Sequence, residues 1–379
     1  MIPARHFEAR RETMDQVKIG VIGVGRMGQR HCRIYSNLRR AQLVGICDSV
    51  PEVGEQASRQ HDVPFYTRMD DLLQHVDAVS LATPTPLHFD QAMVCLDHGV
   101  HVLIEKPITE TVEQAAALTR AAEASGRIVC VGHIERFNPA YQELKNVLEH
   151  LTVLAVNVRR LGPYADSNKD TDVILDLMIH DIDLVLDLMN REPTSIIANG
   201  LSVFDGAVDH AVVHLGYGAG PLVTMTASRV TEQKVRSFEV TAQEAYLEGD
   251  LLNKSIAIHR YTSGEYLNHD QQGVKYRQES IVERIHVPIF EPLFLELQHF
   301  VECIVEDKPP RVPASDGLRA LRLAQVVRTA ILEHLVEVRK AEAIMLLPAA
   351  IPDLARVQHD ESVWRSGKGY TSTIVQMSS

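Results

Sequence analysis

Between Val17 and Val131 the sequence alternates short β-rich runs with helical stretches, and this alternation constrains the fold more than any other feature. The β-rich runs are VKIGVIG, QLVGICD, DAVSLAT, HVLIEKP and RIVCVGH, and helical patterns fill 26–38, 51–60, 87–98 and 110–124. Strands that alternate with helices form a parallel sheet with crossover helices on its faces. We therefore expect a doubly wound α/β domain over residues 17–137.

A glycine-rich turn joins the first strand to the first helix. The strand runs directly into Gly23-Val24-Gly25-Arg26-Met27-Gly28, and a helical pattern follows. In such a turn the first glycine permits the reversal, the second lets the backbone approach a pyrophosphate, and the third lets helix and strand pack closely. The pyrophosphate then lies against free N–H groups at the helix start. The motif predicts a dinucleotide site that includes Gly23, Gly25, Arg26, Met27 and Gly28.

The second strand ends in Asp48, twenty positions after Gly28. A carboxylate at this place accepts hydrogen bonds from the adenosine ribose and repels a 2′-phosphate, so we expect NAD as the cofactor. Two alternatives remain open. Asp48 caps the helix that follows at Pro51, or nearby cationic and hydroxyl side chains permit NADP; these are Arg30, Arg33 and Ser49.

The β-rich runs DAVSLAT and HVLIEKP also end in polar residues. Thr83 closes the first of these runs and is followed by Pro84 and His88, and Glu105 and Lys106 lie near the end of the second. Ligands bind beyond the carboxyl ends of such strands, so we expect both segments to face the cofactor. A buried ammonium is costly unless it is paired, which makes Lys106 a candidate catalytic residue. Alternatively Lys106 reaches solvent beside Glu105, and Thr83-Pro84 only ends a strand.

After Asn138 the pattern changes to long β-rich runs separated by turn signals such as GYGAGP. This predicts a second, α+β domain over 138–345, built on an open, mostly antiparallel sheet, with helices over 139–149 and about 170–190. Helical patterns return over 291–340, interrupted by the loop DKPPRVPASDG, and these helices are expected to return to the first domain. We expect an N-terminal arm over 1–16 and an extended or mobile tail over 346–379.

One predicted helix of the second domain carries polar groups along a single face. Asp176, His180 and Asp183 are spaced i, i+4 and i+7 among apolar residues. Such a stripe lines a cavity or forms a closed internal network. Histidine exchanges protons near neutral pH, as the oxidation of an alcohol requires. We predict His180 and Asp176 as catalytic residues, against the alternative of a histidine satisfied within the core.

Together these motifs resemble the Gfo/Idh/MocA oxidoreductases, over nearly the whole stretch from Val17 to about Leu335. The resemblance rests on the glycine turn, Thr83-Pro84 with His88, Glu105-Lys106-Pro107, the run GHIERFNPA, and Asp176 with His180. It implies that Lys106 anchors the substrate hydroxyl and the nicotinamide, that His180 is the general acid/base, and that Asp176 holds the substrate. It also implies a Rossmann domain, an open second sheet, a frequent cis peptide before Pro107, and a homodimer or homotetramer.

Three runs resemble more narrowly the members that oxidise the 3-hydroxyl of UDP-N-acetylglucosamine to a ketone, for an aminotransferase that makes a diamino sugar of lipid A. They are 132–140 (GHIERFNPA), 227–230 (ASRV) and 234–236 (KVR). We predict Arg136, Asn138 and Arg160 as further substrate contacts, with charge-assisted bonds from the arginines. Alternatively, Arg136 pairs with Glu135 or caps a helix.

Two other functions stay open at this point. One keeps the same chemistry on a free sugar or polyol, and the other is a non-catalytic NAD-binding regulator that has lost the chemistry. The joint presence of Lys106, Asp176 and His180 speaks against the regulator.

Charge and cysteine content exclude several classes of function. The formal net charge is -12 and the pI is near 5.8, which argues against partners such as nucleic acid or an anionic membrane. The apolar runs are too short to span a bilayer. Five widely spaced cysteines, without metal-ligand spacing, are typical of reduced thiols in a cytoplasmic protein. The histidines show no HExxH pattern, so no metal is expected.

Overall fold

The computed structural model describes residues 16–164, 171–204, 206–266, 275–346 and 374–376. Almost all of the predicted arm (1–16) and most of the predicted tail (346–379) lie outside these ranges. The chain separates into two compact units. Unit 1 comprises Met1–Phe137 and Phe290–Leu321, and unit 2 comprises Asn138–Ile289 and Arg322–Ser379.

Unit 1 contains a six-stranded parallel sheet. Its strands are β1 (Val17–Ile22), β2 (Ala41–Cys47), β3 (Phe65–Tyr66), β4 (Ala78–Leu81), β5 (His101–Glu105) and β6 (Val129–Gly132). The order across the sheet is β3-β2-β1-β4-β5-β6, and every neighbouring pair is parallel. The prediction of a doubly wound sheet is confirmed, and the order reverses between β1 and β4, where ligands of such sheets bind.

Four crossover helices of unit 1 begin and end within a few residues of the predicted positions, and a short fifth helix was not predicted. They are α1 (Arg26–Tyr35), α2 (Pro51–His61), α3 (Met69–Leu73), α4 (His88–Asp97) and α5 (Val112–Ser125), with short 3-10 turns at Thr85–Leu87 and Ile134–Phe137. At α5, Thr111 and Gln114 bond reciprocally to each other's backbone N–H, which forms a capping box. Gly126 ends this helix in the left-handed conformation at φ +64°. Local capping chemistry therefore sets both ends of α5.

Unit 2 contains a sheet of mainly antiparallel strands. Its helices are α6 (Pro139–Leu148) and α7 (Ile179–Met189), and its strands are β7 (Val153–Leu161), β8 (Ser195–Leu201), β9 (His210–Gly216), β10 (Leu222–Ser228), β11 (Val235–Ala242), β12 (Tyr246–Asp250), β13 (Ser255–Tyr266), β14 (Lys275–Ile285) and β15 (Ile374–Gln376). The order is β14-β13-β12-β11-β7-β10-β9-β8-β15, and the pair β7 and β10 is parallel. Along β9, buried Ala211, Val213 and Leu215 alternate with exposed or half-buried residues, so this strand buries one face. The predicted open, mostly antiparallel sheet is confirmed.

The chain then returns to unit 1 through α8 (Pro292–Glu306) and the first residues of α9 (Ala314–Leu346). Leu293, Leu297 and Phe300 of α8 are buried in the same apolar cluster as β1 and α1. Burial of each such side chain contributes about 1.5–3 kcal/mol. The predicted loop over 307–317 ends earlier than expected, at Pro313. Gly317 allows this, because a Cβ there would lie 2.8 Å from a methyl group of Val131 on β6.

Candidate active site

A cavity of about 600 Å³ lies at the carboxyl ends of β1, β2 and β4. Seven of the predicted cofactor residues line it: Gly23, Gly25, Arg26, Met27, Asp48, Thr83 and Pro84. Four others are not among its described lining residues: Gly28, His88, Glu105 and Lys106. The cavity has further lining residues that were not predicted to bind the cofactor, among them Val50, Thr67, Met69 and Gln91. The end of the short β3 was the available signal for Thr67 and Met69.

The three glycines of the turn have different surroundings. Gly23 has φ +82°, and a Cβ there would lie 2.8 Å from Thr83 Cγ2. A Cβ on Gly28 would overlap the carbonyl oxygen of Gly23. Gly25, the N-cap residue of α1, has no described atom within 4 Å of where its Cβ would be. Open space beside a helix N-terminus without a side-chain cap suits a pyrophosphate, so this turn fits a dinucleotide.

Asp48 ties the turn to the end of β2. Its Oδ2 accepts a hydrogen bond from Val24 N at 2.8 Å, and its Oδ1 accepts one from Val50 N at 2.9 Å. Each carboxylate oxygen has a second acceptor site, so Asp48 retains the capacity to accept ribose hydroxyls. Val50 is the N-cap residue of α2, and its own side chain makes no capping hydrogen bond. The contact of Asp48 with ribose, and the preference for NAD over NADP, stay predictions.

Lys106 follows directly on β5, and the Lys106–Pro107 peptide is cis, as the family resemblance implied. The Glu105 carboxylate before it is nearly buried, with Oε1 3.0 Å from Nε2 of His31 on α1. Burial raises the pKa of Glu105, but its hydrogen bond to His31 and its interactions with the charges of His31 and Lys106 outweigh burial, so this pKa lies below its usual value. A buried anion therefore precedes the candidate catalytic lysine.

His88 is placed differently from a cofactor ligand. Its side chain is buried at the start of α4, with Nδ1 2.9 Å from the Pro107 carbonyl oxygen and Nε2 2.8 Å from the Thr83 carbonyl oxygen. Thr83 donates its hydroxyl to Oε1 of Gln91 at 2.6 Å. The ring of His88 thus lies between the backbone of Thr83, after β4, and the backbone of Pro107, after Lys106, and a direct contact with the cofactor stays a prediction.

In unit 2, Asp176 does not lie on a regular α-helix. Residues Ile174–Met178 form a π-helix, and the α-helix α7 begins at Ile179. A π-turn contains one residue more than an α-helical turn, so the side chains before and after it point in directions that a regular helix would not give. The predicted alignment of Asp176, His180 and Asp183 at i, i+4 and i+7 on one regular helix face is therefore wrong. Asp176 and His180 are half-buried, whereas Asp183 is buried. π-turns are frequent at functional sites, and their signal is not visible in apolar periodicity.

Two of the predicted substrate arginines take part in buried ion pairs within their own units. Arg160 on β7 contacts Asp181 Oδ1 through Nε at 2.8 Å and Nη2 at 2.7 Å, and both side chains are at most 4% exposed. Arg136 lies 3.2 Å from Asp316 and is 3% exposed. Asp316, in the first turn of α9, is a partner of Arg136 that the sequence analysis did not consider.

Asn138 serves the fold as the N-cap of α6. Its Oδ1 accepts a hydrogen bond from Ala140 N at 3.1 Å, and its Nδ2 donates to the Leu251 carbonyl at 2.9 Å. These bonds explain an asparagine at this position without a ligand. Substrate contacts for Arg136, Asn138 and Arg160 stay predictions.

Two features are absent from the residues that the structure describes. Within the described ranges, no three or more His, Cys, Asp or Glu side chains form a group that could hold a metal ion. Over the same parts of the chain, no helix combines the length and the apolar character that crossing a bilayer requires.

Comparison with known proteins gives matches to one oxidoreductase family in both units. Residues 17–133 match "Oxidoreductase family, NAD-binding Rossmann fold", and residues 152–248 match "GFO/IDH/MocA C-terminal domain". A UDP-N-acetylglucosamine 3-dehydrogenase of Acidithiobacillus ferrooxidans is 33% identical over 84% of this chain and 98% of its own length. The scyllo-inositol 2-dehydrogenase (NAD(+)) of Bacillus subtilis is 25% identical over 80% of this chain and 90% of its own.

Solved structures show the same similarity. The structure of the Acidithiobacillus ferrooxidans enzyme superposes with a TM-score of 0.76 at 32% identity, covering 83% of this chain and 97% of that one. The WlbA dehydrogenase of Bordetella pertussis, solved with NADH and UDP-GlcNAcA, has a TM-score of 0.69 at 20% identity, with 85% and 97% covered. At that identity the second likeness concerns the fold alone.

Proposed function

Since this chain belongs to the Gfo/Idh/MocA family of oxidoreductases, and is an NAD-dependent dehydrogenase acting on CH–OH groups, we propose that its substrate is a nucleotide sugar. The specific reaction we propose is oxidation of the 3-hydroxyl of UDP-N-acetylglucosamine to a ketone. The observation that carries this proposal is the 33% identity to an enzyme of that name over almost its whole length.

The proposed chemistry divides one alcohol oxidation among three residues. NAD, when bound, accepts the hydride from the carbinol carbon. Lys106 donates a charge-assisted hydrogen bond to the reacting hydroxyl, which holds the oxygen and stabilises the negative charge that develops on it. His180 takes the hydroxyl proton as the general base. Asp176 accepts a hydrogen bond from a neighbouring group of the sugar and so fixes its orientation.

The structure of unit 1 supports the cofactor half of this proposal. The open space at Gly25 and the uncapped start of α1 suit a pyrophosphate. Asp48 is held at the end of β2 by two backbone N–H groups, where its remaining acceptor sites suit ribose hydroxyls. The carboxyl end of β5 supplies Lys106 on the same edge of the sheet as the cavity.

A free polyol or monosaccharide is the second candidate substrate. It is favoured by the 25% identity to an inositol dehydrogenase over 80% of this chain. The ion pairs of Arg136 and Arg160 also weaken the expectation that these side chains hold a diphosphate. The proposed chemistry of Lys106, Asp176 and His180 is the same for either substrate.

The proposal extends to the setting of the enzyme. We propose a homodimer or homotetramer that uses the sheet of unit 2. A groove of about 540 Å³ crosses this sheet at β11, β12 and β13, and both cationic and anionic side chains line it, among them Arg159, Glu239, Glu248 and Arg284. Such a mixed lining can pair with a second copy of the same surface.

We propose a cytoplasmic location, since all five cysteines are free and buried. The ketone would serve an amino-sugar precursor of lipid A.

The test is NADH formation by the purified protein with UDP-N-acetylglucosamine, beside NADP and a panel of free sugars and polyols. The Lys106→Ala variant, still able to bind NAD, serves as the matched control. Turnover with the nucleotide sugar and loss in the variant are expected. Turnover with free sugars alone would replace the proposed substrate by the second candidate. Equal rates in the variant would contradict the assigned chemistry.

A further inference from the structure

The two residues that flank Lys106 are each held by a buried histidine. Nε2 of His31 lies 3.0 Å from Oε1 of Glu105, and Nδ1 of His88 lies 2.9 Å from the carbonyl oxygen of Pro107. The exposed fractions of the two histidines are 0% and 1%. Lys106 therefore lies between two fixed points, one on each side along the chain.

Each histidine also belongs to a segment that forms a wall of the cofactor cavity. His31 lies on α1, whose first residues Arg26 and Met27 line the cavity. His88 contacts the carbonyl oxygen of Thr83, another lining residue, at 2.8 Å. The ring of His31 thus connects the glycine-rich side of the cavity to Glu105, and the ring of His88 connects the Thr83 side of the cavity to Pro107.

The hydrogen-bonding chemistry makes both connections specific. The Glu105 carboxylate accepts from His31, and its second oxygen accepts from the backbone N–H of Lys106 at 3.3 Å. Both partners of His88 are carbonyl oxygens, which only accept hydrogen bonds. Each neutral tautomer of the imidazole donates to one of these two oxygens, so the ring is a donor that both segments share.

We propose that His31 and His88 are positioning residues, which fix Lys106 from its two neighbours and carry the geometry of the cofactor cavity to it. The proposal rests on the proposed function only in assigning Lys106 to the substrate hydroxyl. Without the His31 ring, the Glu105 carboxylate loses its donor from α1. Without the His88 ring, the Thr83 and Pro107 carbonyls lose their common donor. Either loss lets Lys106 move relative to the cavity, and misplacement of a reacting group by about 1 Å costs about 10²-fold in rate.

His101 provides a matched control on the same strand. It is the first residue of β5, at the end opposite Glu105, and its Nδ1 accepts a hydrogen bond from Ile128 N at 2.9 Å. Its replacement removes an imidazole hydrogen bond from unit 1 without touching a neighbour of Lys106. A loss of rate that merely reflects a weakened β5 will therefore appear in His101→Leu as well.

The kinetic test compares His31→Leu, His88→Leu and His101→Leu, with His31→Gln as the conservative variant that keeps a donor. We expect kcat to fall about 10–10²-fold in the first two. For His31→Leu we expect the NAD dissociation constant to change by less than about threefold, because this ring is not among the described residues that line the cavity. His101→Leu should retain kcat, and His31→Gln should recover part of it. Unchanged kcat in both folded leucine variants overturns the proposal.

A second measurement does not depend on turnover. Reductive methylation with ¹³C-formaldehyde labels the lysines, and the Lys106 resonance is assigned by its absence from Lys106→Arg. We expect that resonance to shift when NAD is added to the wild-type protein, and to respond less in the two leucine variants. An equal response in all proteins overturns the proposal. If the response is as expected but no alcohol is oxidised, the proposed function fails while the positioning role stands.

Discussion

The two units hold their candidate catalytic residues by different means. In unit 1, Lys106 follows a parallel strand, and the cavity beside that sheet is formed by a local glycine turn. In unit 2, Asp176 and His180 lie on a helix that contains a π-turn, and the residue after His180 is locked in an ion pair with Arg160 of β7. The glycine turn of the cavity in unit 1 therefore depends on short-range backbone geometry, whereas the candidate helix of unit 2 is held by a contact between distant parts of the chain.

This difference predicts where each unit is sensitive to substitution. The sheet fixes the position of a strand end, so substitutions at a strand end should alter ligand binding by moving the backbone that contacts the ligand. A helix that is anchored by a buried ion pair should instead lose stability when either partner is removed. The following changes test this contrast, from the largest expected effect to the smallest.

Removal of either candidate catalytic side chain should have the largest effect. We expect Lys106→Ala and His180→Asn each to reduce kcat about 10²–10⁴-fold, because the reacting hydroxyl loses its cationic donor or its base. Steady-state kinetics with a fluorescence titration of NADH measure both turnover and cofactor binding. His214→Asn is the control in unit 2, since His214 is exposed on β9. Normal turnover in His180→Asn would remove unit 2 from the chemistry.

Breaking the Arg160–Asp181 pair should have the next largest effect, which is a loss of stability. Both side chains are almost fully buried, so Arg160→Met alone leaves an unpaired carboxylate and should lower the free energy of unfolding by about 3–5 kcal/mol. The double variant Arg160→Met with Asp181→Leu should recover most of this loss. Urea unfolding measures the free energy of unfolding of each variant. A raised KM with unchanged stability would instead support Arg160 as a substrate contact.

The glycines of unit 1 allow a matched pair of alanine substitutions. Gly28→Ala places a methyl group against the Gly23 carbonyl and should cost about 1–3 kcal/mol of stability. The methyl group of Gly25→Ala would contact no described atom, so the free energy of unfolding of this variant should stay within about 0.5 kcal/mol of the wild-type value. Both should weaken NAD binding, measured by calorimetry. If Gly25→Ala binds NAD normally, the cofactor does not approach this part of the turn.

The smallest effect concerns the start of β5. Burial, with a lesser contribution from Arg127, lowers the pKa of His101 from 6.5 to about 4. Between these values the unfolded chain binds a proton that the folded chain does not, so stability falls as pH falls through this window and levels off below about pH 4. Because the ring is partly exposed, we expect about 1–2 kcal/mol.

His101→Gln should flatten that part of the pH dependence, which urea unfolding across the acidic range can measure. The carboxylates of the chain titrate equally in both proteins, so the difference between the two curves isolates His101. An identical slope in both proteins would mean that the ring is protonated in the folded state.

The contrast between the units also explains how much could be predicted from the sequence. The sheet of unit 1 and the glycine turn follow from local patterns, because strand ends, turns and helix starts are adjacent in the chain. The caps of α5 at Thr111 and Gly126 are also local, because each lies next to the helix that it ends. The general form of the second sheet was predicted from long alternating runs, and this too is local information.

What the sequence analysis missed depends on contacts between distant residues. Arg136 and Asp316 are separated by 180 positions, and no periodicity indicates such a partner. The π-turn at Ile174–Met178 interrupts an apolar pattern that fits a regular helix equally well. His88 was predicted from its position near a strand end, but its partners Thr83 and Pro107 are set by the tertiary packing of two loops.

The return of the chain to unit 1 after unit 2 governs the order in which the protein can be completed. The core beside β1 and α1 includes Leu293, Leu297 and Phe300, which are synthesised more than 150 residues after Phe137. A nascent chain that has emerged only to Phe137 therefore has an uncovered apolar face where α8 will later pack. Folding of the cofactor-binding half on the ribosome must wait for the other half, and an expressed fragment that stops at Phe137 should need α8 supplied in trans to become compact.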